Sequence, residues 1–286
     1  MSTPQLVVQN APTDRALLDL QDVIEQSLQQ SGVAILPPLD VTRSMWLLKT
    51  LEIKPAMTML DPWYNKGVGG VRDDYTDYIV GLLNGAAVLS PHVYLWGFPE
   101  IVALFVERLP PSLKLVSWLT WYYKNNPSVI RGWRSSQMAC LHLSYPDAKL
   151  YPQHFLNEAQ KQKQSEGKLR YMPGPTSVIE APLNIGFVGK KEQTGHPAQK
   201  PVSVFEPLIM MTTIEGDLVF DPMSGSGTTA TAAQTNHRRA IVCDASEEYT
   251  NIAEQRLNTR RLRIDSKTLE FLHCNDMSLG AQLKFF

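Results

Sequence analysis

Asp221-Pro222-Met223-Ser224-Gly225-Ser226-Gly227-Thr228-Thr229 follows directly on the apolar run Leu218-Val219-Phe220. This reads as a strand feeding a glycine-rich turn. A second apolar run, Ala240-Ile241-Val242-Cys243, ends in Asp244. Glycines in such a turn let backbone approach a ligand with no Cβ in the way, and an acid after the next strand can accept both hydroxyls of a ribose. The unit is therefore β–turn–α–β with a nucleoside-type site at its strand ends. Asp221, Pro222, Ser224, Gly225, Gly227, Thr228 and Asp244 are its candidate cofactor contacts. A dinucleotide fingerprint would need G-x-G-x-x-G, which is absent, and a phosphate-binding loop would need a lysine before Thr228 or Thr229.

Working back along the chain, Ala56 to Leu60 forms another apolar run, and Asp61-Pro62-Trp63-Tyr64 follows it. The tetrapeptide resembles the catalytic motif of amino-directed DNA methyltransferases, which implies an exocyclic nucleobase amine as the group acted on, a poor nucleophile because its lone pair is delocalised into the ring. The Asp61 carboxylate and the Pro62 carbonyl can accept its two N–H bonds and favour a more tetrahedral nitrogen. Proline stiffens the loop that aims this carbonyl. Tyr64 is the preferred residue to stack on an extruded base, with Trp63 as alternative stacker or loop support. Alone, the tetrapeptide reads equally well as an ordinary turn; its pairing with the glycine-rich unit gives it weight.

The remaining apolar patterning predicts helices over Asp14–Gln30, Thr42–Leu51, Asp74–Ala87, Glu100–Leu109, 202–211, 226–235 and 247–260. Strands are predicted at 56–60, 92–96, 113–123, 138–145, 217–220 and 239–243, with a last strand in 262–286. Gly67-Val68-Gly69-Gly70 suggests a mobile loop. Strands separated by helices point to an α/β fold with a largely parallel central sheet. Pro146 to Pro197 is polar and lacks a sustained core pattern, as a small inserted region would. The division expected is a helical extension over 1–55, a catalytic half over 56–145, an insertion over 146–197 and a cofactor half over 198–286.

Composition sets the limits. The chain has 286 residues, is 43% apolar and 19% charged, and carries a formal net charge of −1. These values describe a globular protein and exclude a disordered one. No run reaches the roughly 18 apolar residues of a membrane span, and the first residues do not read as a secretion signal, so a cytoplasmic location is expected. Cys140, Cys243 and Cys274 fit neither a disulfide framework nor a metal cluster, and no metal is expected. Charge is uneven: Lys149–Arg170 holds five basic and two acidic side chains, and Lys190–Lys200 three lysines and one glutamate. A basic face can steer a polyanion while the whole molecule stays near neutral.

In these motifs and their order the chain resembles DNA amino-methyltransferases of the beta arrangement, which use S-adenosylmethionine to methylate adenine N6 or cytosine N4. Their catalytic tetrapeptide, usually Asp/Ser/Asn-Pro-Pro-aromatic, precedes the cofactor motif, with target recognition between. Here Asp61, Pro62 and Tyr64 match, and Trp63 stands at the second proline. His196-Pro197-Ala198-Gln199-Lys200-Pro201 is close to the family's His-Pro-Thr-Gln-Lys-Pro, which implies a contact from Lys200 to the cofactor carboxylate. Trp121-Tyr122-Tyr123-Lys124-Asn125 resembles the segment before the recognition region, which implies DNA contacts from Lys124, Arg131 and Arg134. The short Gly-Asp signature that often opens these enzymes is not seen. The resemblance implies a Rossmann-like methyltransferase fold with an inserted target-recognition region, double-stranded DNA as substrate, direct in-line transfer to a flipped base, a homodimer, and a cognate restriction endonuclease. The Asp-led tetrapeptide leans towards adenine N6. The rival reading keeps the fold as a sequence-specific DNA-binding protein of weak activity.

Overall fold

A computed structural model describes residues 14–65, 70–127, 132–264 and 268. Eight strands form one mixed sheet: β1 (Val33–Ile35), β2 (Met57–Leu60), β3 (His92–Gly97), β4 (Lys114–Tyr122), β5 (Gln137–Ser144), β6 (Val178–Glu180), β7 (Leu218–Asp221) and β8 (Arg239–Val242). Their spatial order is β1-β8-β7-β2-β3-β5-β4-β6. Only β5 runs against its neighbours, antiparallel to both β3 and β4, while the other pairings are parallel.

Helices cover both faces. On one lie α1 (Asp14–Ser31), α2 (Val41–Thr50) and α3 (Tyr75–Leu89), and the short α4 (Pro99–Val102) follows β3. On the other lie α6 (Val202–Thr212), α7 (Thr228–Thr235) and α8 (Glu247–Leu257); α5 (Glu158–Ser165) belongs to the insertion. The strand pleat explains the split. Ala34, Leu60, Val93, Leu95, Phe220 and Ile241 join the first core. Their sequence neighbours Val33, Ile35, Met59, Tyr94, Trp96, Val219, Ala240 and Val242 join the second. Successive side chains alternate faces, so strands buried on both sides read as continuous apolar runs. In α1, Leu20, Ile24 and Leu28 are buried at the i, i+4, i+8 spacing of one helix face.

The sheet order places the site. Leaving β7, the chain steps outward to β8, beside β1; leaving β2, it steps the other way to β3. The switch lies between β2 and β7, paired in parallel with Met57 opposite Val219 and Thr58 opposite Phe220. Ligands of open α/β sheets bind outside the carboxyl ends of strands at such a point. Asp61 follows β2 and Asp221 ends β7, so the two motifs meet there.

Three expectations need correction. The segment up to residue 55 is more than a helical extension, because Val33–Ile35 completes the sheet beside β8. Four apolar residues between Gly32 and Pro37 are too few to show a strand pattern. The helix expected over Glu100–Leu109 is only α4, continued by a 3-10 turn at Ala103–Phe105 that buries Phe105 against the ring of Tyr75. Within the inserted region, α5 starts with a reciprocal Asn157–Gln160 capping box, and β6 adds to the sheet edge beside β4. The helices expected at 226 and through 260 start at Thr228 and end at Leu257. The expected mobile loop at 67–70 lies mostly outside the described residues, as does nearly all of the last strand.

Candidate functional site

The glycine-rich turn is built around two left-handed glycines. Gly225 has φ +50°, and a Cβ there would come within 2.8 Å of His196 Nε2. Gly227 has φ +77°, forms the N-cap of α7, and a Cβ there would meet Leu257 at 3.0 Å. Both the backbone conformation and the close approach exclude a side chain. The turn is pinned at three points. Asp244 Oδ2 accepts from Gly225 N at 2.8 Å, Ser224 N donates to Cys243 O at 2.9 Å, and Asp221 Oδ1 accepts from Met223 N at 3.0 Å.

Asp221 is only 2% exposed, and its other oxygen accepts from the Thr229 hydroxyl. Burial raises its carboxyl from 3.8 to about 7; the Thr229 and Met223 hydrogen bonds oppose this, and Asp61 and Asp244 add to it. The native state thus holds this proton more tightly than the unfolded chain does. The resulting stability is complete below pH about 3.8 and is lost as pH rises through about 7. Asp221→Asn is therefore expected to flatten the fall in melting temperature between about pH 4 and pH 7. Thermal melts of both proteins across that range check this; parallel curves would contradict it.

The turn walls a cavity of about 500 Å³ that also takes in Asp40, Asp61, Trp63, Tyr64, His196, Lys200 and Tyr249. Of the sequence-derived cofactor residues, Asp221, Pro222, Ser224, Gly225, Thr228, Asp244 and Lys200 line it, while Gly227 acts through the backbone turn. Three acids on one wall, Asp40, Asp221 and Asp244, with the glycine turn beside them, suit a cationic nucleoside bearing a ribose and an amino acid tail. Asp40 was missed in the sequence. It follows β1, caps α2 by accepting from Thr42 N at 2.8 Å, and supplies an acid without the expected glycine before it.

At the opposite wall, Asp61 is the hub of a three-residue network. Its Oδ1 accepts from the Tyr64 hydroxyl at 2.9 Å, and its Oδ2 pairs with Lys200 Nζ. Lys200 Nζ also donates to the Tyr64 oxygen at 3.0 Å, lies 5.4 Å from the Trp96 ring centroid and is 3% exposed. Burial first, then the Asp61 charge, pushes the Tyr64 phenol well above its usual range, so it stays protonated and donates. Lys200, read from the sequence as a cofactor contact, is committed to the carboxylate that would meet the amine. Lys200→Met is expected to slow methyl transfer on the order of 10²-fold while cofactor affinity changes less than about threefold. A large rise in cofactor Kd would instead return Lys200 to the cofactor carboxylate.

The two aromatic residues of the tetrapeptide part company. Trp63 packs edge-on to Tyr75 at 5.5 Å and tilted against Tyr78 at 5.6 Å, and its carbonyl accepts from Tyr75 Oη at 2.7 Å. Tyr64 packs edge-on to Phe98 at 4.9 Å. Tyr64 and the His196–Lys200 segment form a wall shared with a second cavity of about 990 Å³, lined further by Phe98, Tyr123, Trp133, Arg134, Asn184 and Ile185. Arg134, one of the expected DNA contacts, lines this larger cavity, and Lys124, another, pairs with Glu180 at 2.6 Å on the surface. Arg131 lies outside the described residues.

The His196–Lys200 segment is held by residues that sequence reasoning passed over. Arg256 donates to Ser226 O, to Thr228 Oγ1 at 2.9 Å and to Glu192 Oε1 at 3.2 Å. Glu192 in turn accepts from Val202 N at 2.7 Å. Burial lowers the His196 imidazole, against the pull of Asp244 and Asp61, and its ring meets Tyr249 edge-on at 4.2 Å. The His-Pro-Ala-Gln-Lys-Pro motif could have flagged His196. Arg256 carries no local signal, because its partners lie 28 to 64 residues away. Cys140 and Cys243 are buried. Among the described residues no group of three His, Cys, Asp or Glu side chains is placed to hold a metal, and no helix is long and apolar enough to cross a membrane.

Known proteins resemble this chain in sequence and fold. The type II methyltransferase M.HpaI of Haemophilus parainfluenzae is 28% identical over 246 residues, covering 81% of this chain and 77% of the relative. M2.DpnII of Streptococcus pneumoniae is 48% identical over 179 residues, 59% of this chain and 62% of the relative. The crystal structure of the M1.HpyAVI–SAM complex superposes with a TM-score of 0.62 at 19% identity, covering 79% of this chain and 99% of that one, a likeness of fold. The family described as DNA methylase matches residues 58–255, from the strand before Asp61 to α8. The chain belongs to that family, the S-adenosylmethionine-dependent DNA amino-methyltransferases of the beta arrangement.

Proposed function

We propose that this protein transfers a methyl group from S-adenosylmethionine to adenine N6 in double-stranded DNA, with the base turned out of the helix. The observation that carries the reading is the shared wall: Asp61, Tyr64 and Lys200 line the acid-walled cavity, and Tyr64 and Lys200 also line the larger one. The smaller cavity suits the cofactor, held at Asp244, Asp221 and the Gly225 turn. The larger suits the extruded nucleotide, with Tyr64 against the base.

The bound cofactor supplies an electrophilic methyl group on a good leaving group. The protein's part is positioning and electrostatics rather than a covalent nucleophile. Asp61 and the Pro62 carbonyl accept the two amine N–H bonds. Because Tyr64 and Lys200 occupy one lone pair on each Asp61 oxygen, the amine meets a carboxylate already fixed in orientation. Lys200 keeps that half-buried carboxylate compensated until the base arrives. After transfer the amine proton leaves to Asp61 or to water.

Adenine is preferred because the tetrapeptide is led by aspartate, a lean taken from the family resemblance. The second reading is cytosine N4, since the family covers both amines. Site recognition is assigned to Arg134 and the 146–197 region, where long polar side chains can reach phosphates and base edges. A homodimer and a cognate restriction endonuclease are proposed on the resemblance alone. The test is to incubate unmethylated duplex DNA with the protein and methyl-labelled cofactor, digest to nucleosides and separate the products. Labelled N6-methyladenine is expected. N4-methylcytosine would replace the base assignment, and label found only in RNA or protein would overturn the substrate.

A further inference from the structure

We propose that Trp133 enters the DNA duplex at the target site and fills the stack that the extruded base leaves. The proposal rests on the DNA-methyltransferase reading and adds to it a residue that drives extrusion. Trp133 is 89% exposed, an unusual surface position for the largest apolar side chain, yet it lines the same cavity as Tyr64 and Lys200. It follows Gly132, whose φ of +80° makes a turn that projects the next residue, and it precedes Arg134, a cation on the same rim. Asn184 and Ile185 also line the cavity, and two residues beyond lies Phe187, 93% exposed, with Lys190 and Lys191 after it in the chain. Isolated exposed apolar residues are ordinary. An exposed indole beside a cation on the rim of the cavity, with a second exposed aromatic and two lysines a few residues along the chain from its lining, matches a duplex, which offers phosphates for the cations and base steps for an inserted ring.

The indole has the size to stack between neighbouring bases, and stacking there offsets the unstacking cost of moving the target. Trp133 is thus a positioning residue: it touches the target's neighbours and acts on the reacting base only by holding its place. A protein partner or a second copy on this rim would be indifferent to how the target base is paired, and that supplies the discriminating measurement.

The test uses the full-length protein and two duplexes carrying the site first mapped by sequencing DNA that the wild type has methylated. One duplex is fully paired, and the other has an abasic position opposite the target. Trp133→Ala is expected to lower kcat/KM on the paired duplex on the order of 10- to 100-fold. On the abasic-opposed duplex, where extrusion is already easy, it should fall within about threefold of wild type. Trp133→Phe should keep most of the activity on both. Cofactor binding should be unchanged in either variant, which shows that the fold survives. An equal loss on both duplexes would overturn the proposal in favour of a simple contact, as would no loss on either. A change in mass by light scattering with wild-type kinetics would overturn it in favour of a protein interface. If the wild type methylates no DNA, the underlying reading fails instead.

Discussion

Asp61→Ala should lower methyl transfer on the order of 10³-fold while leaving the cofactor Kd within about threefold. The asymmetry follows from where Asp61 sits. Both its oxygens face Tyr64 and Lys200 on the wall shared with the larger cavity, whereas the ribose-type acceptor Asp244 and the glycine turn lie on the opposite side. Removing the carboxylate takes away an acceptor that binds the amine more strongly as positive charge develops on its nitrogen, a loss felt in kcat. It also strands Lys200, a cation with 3% exposure, at a cost of about 3–5 kcal/mol in stability. Melting and cofactor titration must therefore accompany the kinetics. Asp61→Asn keeps the shape and one acceptor and should fall between alanine and wild type. Equal losses in cofactor affinity and turnover in Asp61→Ala would place Asp61 in the cofactor site and remove it from the amine.

What the sequence revealed and hid follows from the range of the interactions. The β7–turn–α7–β8 unit was legible because its strands, its glycines and Asp244 lie within a few dozen residues and obey local rules of backbone conformation. The alternation of apolar strands and amphipathic helices made the α/β class legible in the same way. β1 was hidden because three residues cannot display a period. Asp40 was hidden because the acid is recognisable only once β1 is placed beside β8. The pairing of Lys200 with Asp61 joins residues 139 positions apart, and no local pattern encodes it. Trp63 is the instructive case. The tetrapeptide left its role open between stacking on a base and bracing the loop. Its packing against Tyr75 and Tyr78 supports bracing, and both partners come from α3, beyond the reach of the motif itself.

Gly225→Val tests the opposite wall, and its expected effect falls on binding. Valine at φ +50° would be strained for a β-branched residue, and its Cβ would start 2.8 Å from His196 Nε2. The imidazole cannot simply withdraw, because its ring packs on Tyr249 and its Nδ1 accepts from Ala198 N at 3.2 Å. Relief must come from the turn, which then loses the Gly225 N–Asp244 hydrogen bond and carries the Asp244 carboxylate out of place. Cofactor affinity should fall by more than about 100-fold, with about 1–3 kcal/mol lost from stability. Gly225→Ala should weaken binding less, because it adds the strained Cβ without the second branch. Calorimetric titration of S-adenosylmethionine into each variant, alongside its melting curve, separates a damaged pocket from an unfolded one. A folded Gly225→Val protein that bound the cofactor as tightly as wild type would show that the turn is only structural, and would move the cofactor away from it.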